Sequence, residues 1–420
     1  MTNATTARRA AVALAVSAVL GTALAPAATA ATTPPPAAPL PSGLYGTTDP
    51  AYDGVWRQSL ALLAQDTVGV KPAGKAVDWL TGQQCADGAF SAYRADASAA
   101  CDAKLPRDTN ATAAAVQALT ATGGGEKTVG KAVTWLKSVQ NADGGWSYNP
   151  GGASDANSTA VVIGALAAAG EKPAAVVSAK GGKSPYDALL TFARPCTGAD
   201  AGAFVYQPTM PGAVGDSTAA AVVAAQGAGL APKAGAAGSV AGGAVCDKAA
   251  KDLKGAALNG GAYLAGALAK TGHLLTPPMP GAEDSAPKPD FGNTADAVVA
   301  LAAQGRTEAA KKPLEWLKAN GAGWAKESGP AAYAQLVFAA NATGTDPADF
   351  GGTDLVAALN ATGPAPESAS PSAGTEKKDQ NDKNDKKDDG GPNIWWIVGA
   401  FFAASAGAGF LFSGRRKPRA

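Results

Sequence analysis

Histidine is almost absent from this sequence, because His273 is the only one in 420 residues. Cysteine is also scarce. The four cysteines, Cys85, Cys101, Cys196 and Cys246, form neither a Cys-x-x-Cys pair nor a Cys/His set with zinc-ligand spacing. We therefore predict no metal site, and we expect a structural or surface role for His273.

An excess of one charge sign is also missing, since 35 Lys and Arg residues oppose 34 Asp and Glu residues. Six of the basic residues lie near the two termini. Without them, 29 basic residues remain against 34 acidic ones, so the central part of the chain is mildly acidic. Proteins that bind nucleic acid carry a basic patch, and we expect no nucleic-acid partner here.

The first 30 residues have the parts of a secretory signal. Arg8 and Arg9 precede an apolar run at 10–24, and the small residues at 28–30 fit a cleavage site. We predict a signal peptide at 1–30, followed by a Pro/Ala-rich lead-in at 31–45.

A second apolar run without charge occupies 394–412, and Trp395 and Trp396 lie at one edge of it. Basic residues follow it at 413–420. Both features are typical of one transmembrane helix with a cytoplasmic tail. Removal of this segment by a sorting enzyme is the alternative, although no Leu-Pro-x-Thr-Gly sequence precedes it.

The stretch at 361–393 is rich in Pro and Ser and then carries many charges of both signs. Such a composition cannot bury a core, so we predict a disordered tether. We expect a single-pass plasma-membrane protein whose folded part, at 46–360, is extracellular.

An aromatic residue just past a Gly recurs five times at intervals of 56 to 61 residues. In the two clearest copies, 75–90 and 131–146, a helical apolar pattern runs to a Gln and then to an Asp-Gly pair. We expect that Gly to end the helix in the left-handed conformation. A repeat of this length predicts an array or a ring of one unit. The five aromatic residues are Phe90, Trp146, Phe204, Tyr263 and Trp324.

A second helix follows the turn in most copies, and an Asp stands near its start. Asp side chains accept hydrogen bonds from the free N–H groups of a first helical turn, and the Ala-rich bodies that follow allow close packing. Two further apolar helices, at 52–65 and 347–359, would pair as a sixth unit and close the ring. The four carboxylates are Asp108, Asp155, Asp216 and Asp290.

The run at 131–146 reads Lys-Ala-x-x-Trp-Leu-x-x-x-Gln-x-x-Asp-Gly-Gly-Trp. It resembles the QW-type repeat of the terpenoid cyclase and protein prenyltransferase superfamily, and the resemblance extends over about 50–360. It implies an all-α fold, an α/α toroid of about six helix pairs, here in a surface-anchored form typical of actinobacteria. It also implies structural roles over the turns for Trp79, Trp135, Trp146, Trp316 and Trp324.

The catalytic motifs of this superfamily are missing. The toroid has no Asp-x-Asp-Asp cluster for alkene protonation, no Asp/Cys/His zinc set for prenyl transfer, and no Gly-Cys-Gly-Glu-Gln thioester sequence. We therefore expect no catalytic residue and no cofactor.

Among extracellular relatives of this fold, the vitamin B12 carriers use the toroid as one wall of their site and a separate β domain as the other. The resemblance implies a non-catalytic binding or scaffold protein, capturing cobalamin or another small ligand with a β-domain partner or an uptake transporter. A polyprenyl lipid, a glycan or a protein is also allowed as ligand. The alternative is an extracellular glycan hydrolase or lyase that uses two rim carboxylates across a cleft.

Ligand contacts are expected where the inner helices begin, because a closed ring places those ends around one mouth. Capping alone predicts the carboxylates, but it does not require the tyrosines that recur beside this rim in three consecutive units. The candidate ligand-binding residues are Asp108, Asn110, Asp155, Asn157, Asp216, Asp290, Asn293, Tyr93, Tyr148 and Tyr206.

Four cysteines in an exported chain favour disulfide bonds. They allow three connectivities. We favour Cys85–Cys101, which closes the loop of the first unit, and Cys196–Cys246, which links the third unit to the fourth.

Overall fold

The computed structural model describes residues 40–232, 245–276 and 286–367. The predicted signal peptide and membrane segment, with most of the lead-in and tether, lie outside these residues. Within the described residues, no helix is both long and apolar enough to cross a membrane.

The described residues form twelve α-helices that alternate along the chain between an inner and an outer ring. The inner helices are α1 (Gly54–Thr67), α3 (Thr109–Ala121), α5 (Ala156–Ala168), α7 (Gly215–Ala224), α9 (Phe291–Ala303) and α11 (Pro330–Thr343). The outer helices are α2 (Gly74–Gly82), α4 (Glu126–Ser138), α6 (Pro185–Thr191), α8 (Leu253–Thr271), α10 (Thr307–Ser328) and α12 (Leu355–Asn360).

The inner helices form a closed ring. Each packs against the next inner helix along the chain, and α11 packs against α1. Burial follows this arrangement, because α5 is buried along nearly its whole length whereas α4 buries one apolar stripe. The prediction of a closed ring of helices is confirmed. Of the two helices predicted to form the sixth pair, α12 packs against α11, and a hydrogen bond from Gln65 to Asn360 joins it to α1.

Two short antiparallel hairpins interrupt the helical pattern, and the sequence analysis did not predict them. Strands β1 (Val205–Gln207) and β2 (Met210–Ala213) precede α7, and strands β3 (Leu274–Leu275) and β4 (Pro289–Asp290) precede α9. Both hairpins connect an outer helix to the next inner helix. They therefore lie at the end of the ring where the inner helices begin.

The two Asp-Gly turns have the predicted backbone but a different role. Gly88 and Gly144 have φ of 97° and 91°. However, α2 and α4 end several residues earlier, at Gly82 and Ser138, so these glycines do not cap them. A Cβ on Gly144 would lie 2.1 Å from the carbonyl oxygen of Ser184 in the next unit. Close packing between units therefore requires glycine here.

One hydrogen bond recurs in four units and joins the turn to the inner helix. The backbone N–H just past the turn donates to a threonine hydroxyl in the first turn of that helix, over 2.9 to 3.1 Å. The pairs are Phe90 with Thr112, Trp146 with Thr159, Phe204 with Thr218, and Leu274 with Thr294. This bond defines the structural register of the repeat.

That register corrects two of the five predicted repeat aromatics. Tyr263 lies inside α8, and the position equivalent to Trp146 in its unit is Leu274. Trp324 lies inside α10, which is separated from α11 only by Gly329. In both units the outer helix continues through the residues that form the turn elsewhere, so the spacing in sequence did not reflect equivalent positions.

Trp146 has the structural role that the resemblance implied. Its side chain is buried, and its indole N–H donates to the carbonyl oxygen of Leu136 over 2.7 Å. Gln140 donates from Nε2 to the carbonyl oxygen of Gly144 over 2.7 Å. The Gln and Trp of the repeat therefore fix the turn between α4 and α5.

The segments before α1 and after α12 also pack against the ring. Tyr45 is fully buried, and its hydroxyl lies 3.1 Å from both Gln65 Oε1 and the carbonyl oxygen of Pro364. Gln65 donates in turn to Asn360 Oδ1 over 2.6 Å. The folded unit thus includes residues that the sequence analysis assigned to the lead-in and the tether.

Both predicted disulfide bonds are present. Cys85 pairs with Cys101 and Cys196 pairs with Cys246, and each pair has a Cα–Cα distance of 5.6 Å. Cys246 precedes α8, so the second bond joins the third unit to the fourth as predicted.

The threonine hydrogen bond gives a first prediction. Thr159→Val should lower the free energy of unfolding by about 1–3 kcal/mol, because the buried N–H of Trp146 loses its acceptor. Urea denaturation of the purified protein measures this change. Thr134→Val is the matched control, since Thr134 is exposed on α4. Equal stability of the two variants would contradict a stabilising role for the recurring bond.

Candidate ligand-binding site

Three of the four predicted carboxylates cap inner helices. Asp108 accepts from the N–H of Ala111 over 2.8 Å, and Asp155 accepts from the N–H of Ser158 over 2.7 Å. Asp290 accepts from the N–H of Asn293 over 3.1 Å. These side chains satisfy free N–H groups at the starts of α3, α5 and α9.

Asp216 occupies a different register, and its predicted equivalence to the other three is wrong. Val214 stands at the N-cap of α7, and Asp216 is the second residue of the helix. Counted from the recurring threonine, Asp216 aligns with Asn110 and Asn157, the amides of the preceding inner helices. The carboxylate at this position is therefore not explained by capping.

The predicted tyrosines Tyr148 and Tyr206 lie beside capping carboxylates of the preceding inner helix. The hydroxyl of Tyr148 is within hydrogen-bonding reach of Asp108, and that of Tyr206 is within reach of Asp155. Burial raises the pKa of both Asp108 and Asp155 to about 6, although these interactions and the backbone N–H groups oppose the rise. The recurrence of tyrosine thus has a structural cause, which is contact between neighbouring units.

Tyr93 differs from the other two tyrosines. Its ring stacks on Trp79 at a centroid distance of 6.4 Å, and it packs close to Gly54 at the start of α1. Tyr93 also lies one residue further past the turn than Tyr148 and Tyr206 do, so the three tyrosines share neither a position in the repeat nor a partner.

Further inside the rim, a hydrogen-bonded group links α5 to α7. Asn157 donates from Nδ2 to Asp216 Oδ2 over 2.7 Å, and the hydroxyl of Ser217 donates to Asn157 Oδ1 over 2.6 Å. All three side chains are buried. The predicted residues Asn157 and Asp216 do meet, and they meet as a satisfied pair in the ring wall.

A second buried pair lies between α9 and α11, and the sequence analysis did not identify it. Gln335 donates from Nε2 to both oxygens of Asp296, over 3.3 and 3.2 Å. Burial raises the pKa of Asp296 well above its ordinary value, and the nearby charges of Asp216 and Asp290 raise it further. The carboxylates of Asp216 and Asp290 therefore both act on that of Asp296.

A cavity of about 520 Å³ opens between the starts of α1, α9 and α11. Its apolar wall includes Trp56 and Leu60 from α1, and Phe291 and Trp324 from α9 and α10. The remaining lining residues are Asp53, Thr276, Lys288, Pro289, Asp290, Gly292, Ala331 and Gln335. Cavities of this size that combine apolar walls with a few polar groups are typical of small-molecule sites.

Stacked aromatic rings extend from this cavity toward the outer ring. Phe291 stacks on Trp324 with centroids 5.5 Å apart and planes 9° apart. The ring centroid of Trp316 lies 4.7 Å from that of Phe291 and 4.4 Å from that of His273, on which it stacks. These contacts give His273 the structural role that we expected, and they hold the ring of Phe291 in place at the cavity wall.

Of the ten candidate ligand-binding residues, Asp290 lines the cavity. The others lie at the starts of α3, α5, α7 and α9 or in the loops before them, as predicted, but around the rim rather than in the cavity. Sequence reasoning missed Trp56, Phe291, Gln335 and Asp296. The sequence does distinguish Asp296, because a carboxylate stands there where the aligned positions in α3 and α5 hold the apolar residues Ala114 and Val161. Trp324 was assigned a structural role, yet it lines the cavity.

Metal ligands were not expected, and the described residues contain no group of three or more His, Cys, Asp or Glu side chains that could hold a metal ion. The rim carboxylates bond amides, hydroxyls and backbone N–H groups instead.

Comparison with solved structures finds partial overlaps. The ent-copalyl diphosphate synthase from Streptomyces platensis aligns with a TM-score of 0.45 and 15% identity, over 69% of this chain and 50% of the synthase. A protein from Actinoplanes aligns with a TM-score of 0.42 and 15% identity, over 67% of this chain and 75% of that one. This chain thus spans about half of the synthase. No family model and no curated protein matches it.

The class of the protein rests on its own helix packing. Six inner helices close into a ring, and six outer helices surround them, which is the arrangement of an α/α toroid. A ligand-sized cavity opens at the end of the ring where the inner helices begin.

The buried cap at Asp108 gives a second prediction. Its folded-state pKa of about 6 exceeds the ordinary value of 3.8, so the folded state binds more protons than the unfolded state between those values. The contribution of Asp108 to stability is therefore full below about pH 4 and is lost as the pH rises through about 6. Asp108→Asn keeps an acceptor at the cap and should be more stable than the wild type by about 1–3 kcal/mol at pH 7.5.

Urea denaturation at pH 4 and pH 7.5 measures this effect, and the two proteins should have nearly equal stability at pH 4. Asp78→Asn, at an exposed position on α2, is the control and should change neither value. A variant destabilised equally at both pH values would show that the charge of Asp108 is not the cause.

Proposed function

We propose that this chain is a non-catalytic binding protein whose small ligand occupies the cavity between α1, α9 and α11. The observation that carries the proposal is the composition of that cavity. Trp56, Phe291 and Trp324 supply apolar surface, while Asp290 and Gln335 supply polar groups. Aromatic rings with a few fixed polar groups are what small-molecule recognition requires.

The cavity volume bears on the kind of ligand. Its volume of about 520 Å³ lies within the range of small-molecule sites. Cobalamin is larger and would protrude from the mouth, so its capture would need a second wall supplied by a β-domain partner or an uptake transporter. Only one end of a polyprenyl lipid or of a glycan would fit into the cavity.

Exposed apolar side chains on the rim that carries the cavity support a covering partner. Tyr52 is 67% exposed, Met210 is 42% exposed and Leu275 is 49% exposed. Each lies in a different segment that leads into an inner helix, so all three belong to the face that carries the cavity. A protein bound over the mouth of the cavity could cover these apolar groups.

The proposal includes export and anchoring. The two disulfide bonds are consistent with an oxidising compartment, and the predicted signal peptide and apolar segment at 394–412 would place the toroid outside the plasma membrane.

A glycan-acting hydrolase is the second candidate, and one observation favours it. Asp216 and Asp296 are carboxylates at non-equivalent repeat positions, and Asp296 has the raised pKa of a general acid. Against it, both carboxylates already bond buried amides, and neither lines the cavity. If Asp296→Asn abolished a measured hydrolysis of cell-wall glycan, the enzyme would replace the binding protein.

Ligand binding gives a third prediction. Purified protein is titrated with cobalamin analogues, polyprenyl lipids and cell-wall glycans by calorimetry. For the ligand that binds, Trp324→Ala should weaken affinity by about tenfold or more, because the indole supplies cavity wall. Trp79→Ala removes an indole of α2 that does not line the cavity, and it should leave affinity unchanged. Unchanged affinity in both Trp324→Ala and Trp56→Ala would exclude this cavity as the site.

A further inference from the structure

We propose that the cavity between α1, α9 and α11 binds a small organic cation of the ammonium type. This inference rests on the proposed function and names the ligand class of the same site. It follows from the polarity of the lining groups, the aromatic walls and the charges of the lining carboxylates.

Apart from Thr276 and Lys288, the charged and amide side chains that line the cavity offer acceptor oxygens. Asp53 and Asp290 contribute carboxylates. Gln335 donates from Nε2 to Asp296 and can offer its carbonyl Oε1 to a ligand. The donors Thr276 and Lys288 are both exposed at the outer edge. A ligand that carries donors or positive charge would complement these acceptor side chains.

The aromatic rings favour charge over a simple donor. Trp56 and Trp324 reach the cavity from α1 and α10, and Phe291 is held between Trp324 and Trp316. An ammonium group within about 6 Å of an aromatic face gains roughly 0.5–2 kcal/mol from the ring quadrupole. Tryptophan gives the strongest interaction of the three aromatic residue types.

The carboxylates that line the cavity also favour a cationic ligand. Asp53 forms an ion pair with Arg57 over 3.0 Å, so its charge is largely balanced. Asp290 is different, because its oxygens accept from the backbone N–H and the side-chain amide of Asn293, which are neutral groups. Asp290 is therefore the carboxylate with which a cation in the cavity would pair.

The test uses choline and its neutral isostere, 3,3-dimethylbutan-1-ol, which differ in charge and hardly in shape. Calorimetry on the purified full-length chain should show choline binding at least about tenfold tighter than the alcohol. Asp290→Asn should bring the two affinities together, because asparagine preserves the cap of α9 and removes the charge. Trp324→Ala should abolish choline binding.

Asp252→Asn is the matched control. Asp252 also caps a helix, accepting from the N–H of Gly255 over 2.7 Å, but it is exposed at the start of α8 and does not line the cavity. This variant should keep the preference for choline. Retention of that preference in Asp290→Asn would overturn the assignment of Asp290.

The remaining outcomes separate the two proposals. Equal affinity for choline and the alcohol, or no choline binding at all, would overturn the cation inference. If another ligand then bound in a manner that depends on Trp324, the proposed function would stand without it. If neither choline nor any ligand of the wider panel bound, both proposals would fall.

Discussion

The contact between α1 and α11 closes the ring, and the rest of the structure depends on it. The inner helices are apolar around nearly their whole circumference, so an open array would expose an apolar side at each end. Closure removes both ends. Polar contacts secure it, since Tyr45, before α1, bonds the carbonyl oxygen of Pro364, and Gln65, in α1, donates to Asn360.

Closure also produces the site. Once six inner helices run in the same direction around a ring, their N-terminal ends form one rim, and the capping groups of that rim collect there. Most of these groups become part of the wall, as in the pair of Asn157 with Asp216. The cavity lies where the repeat is least regular, beside the β3–β4 hairpin and the nearly direct passage from α10 into α11. The regular units therefore form the continuous wall of the ring, and the cavity opens between the irregular units.

The same irregularity explains which predictions succeeded. The resemblance of the clearest repeat implied the structural role of Trp146, and the structure adds the contact of Gln140 with the same turn. The predicted turn positions of Tyr263 and Trp324, in the fourth and fifth copies, were wrong. Both residues keep the spacing in sequence but lie inside longer helices. The spacing of the aromatic residues alone does not show whether the outer helix ends in a turn at that position or continues through it.

The sequence by itself determined the helix pairs, the capping residues Asp108, Asp155 and Asp290, and both disulfide bonds. These depend on contacts within a unit or between neighbouring units, and repetition makes them visible. Only the tertiary structure decided that Asp296 meets Gln335 and that Trp56 and Trp324 share a cavity wall. Asp296 and Gln335 lie on neighbouring inner helices but follow no repeat spacing. Trp56 and Trp324 come from opposite ends of the folded chain, so they share a wall only because the ring closes.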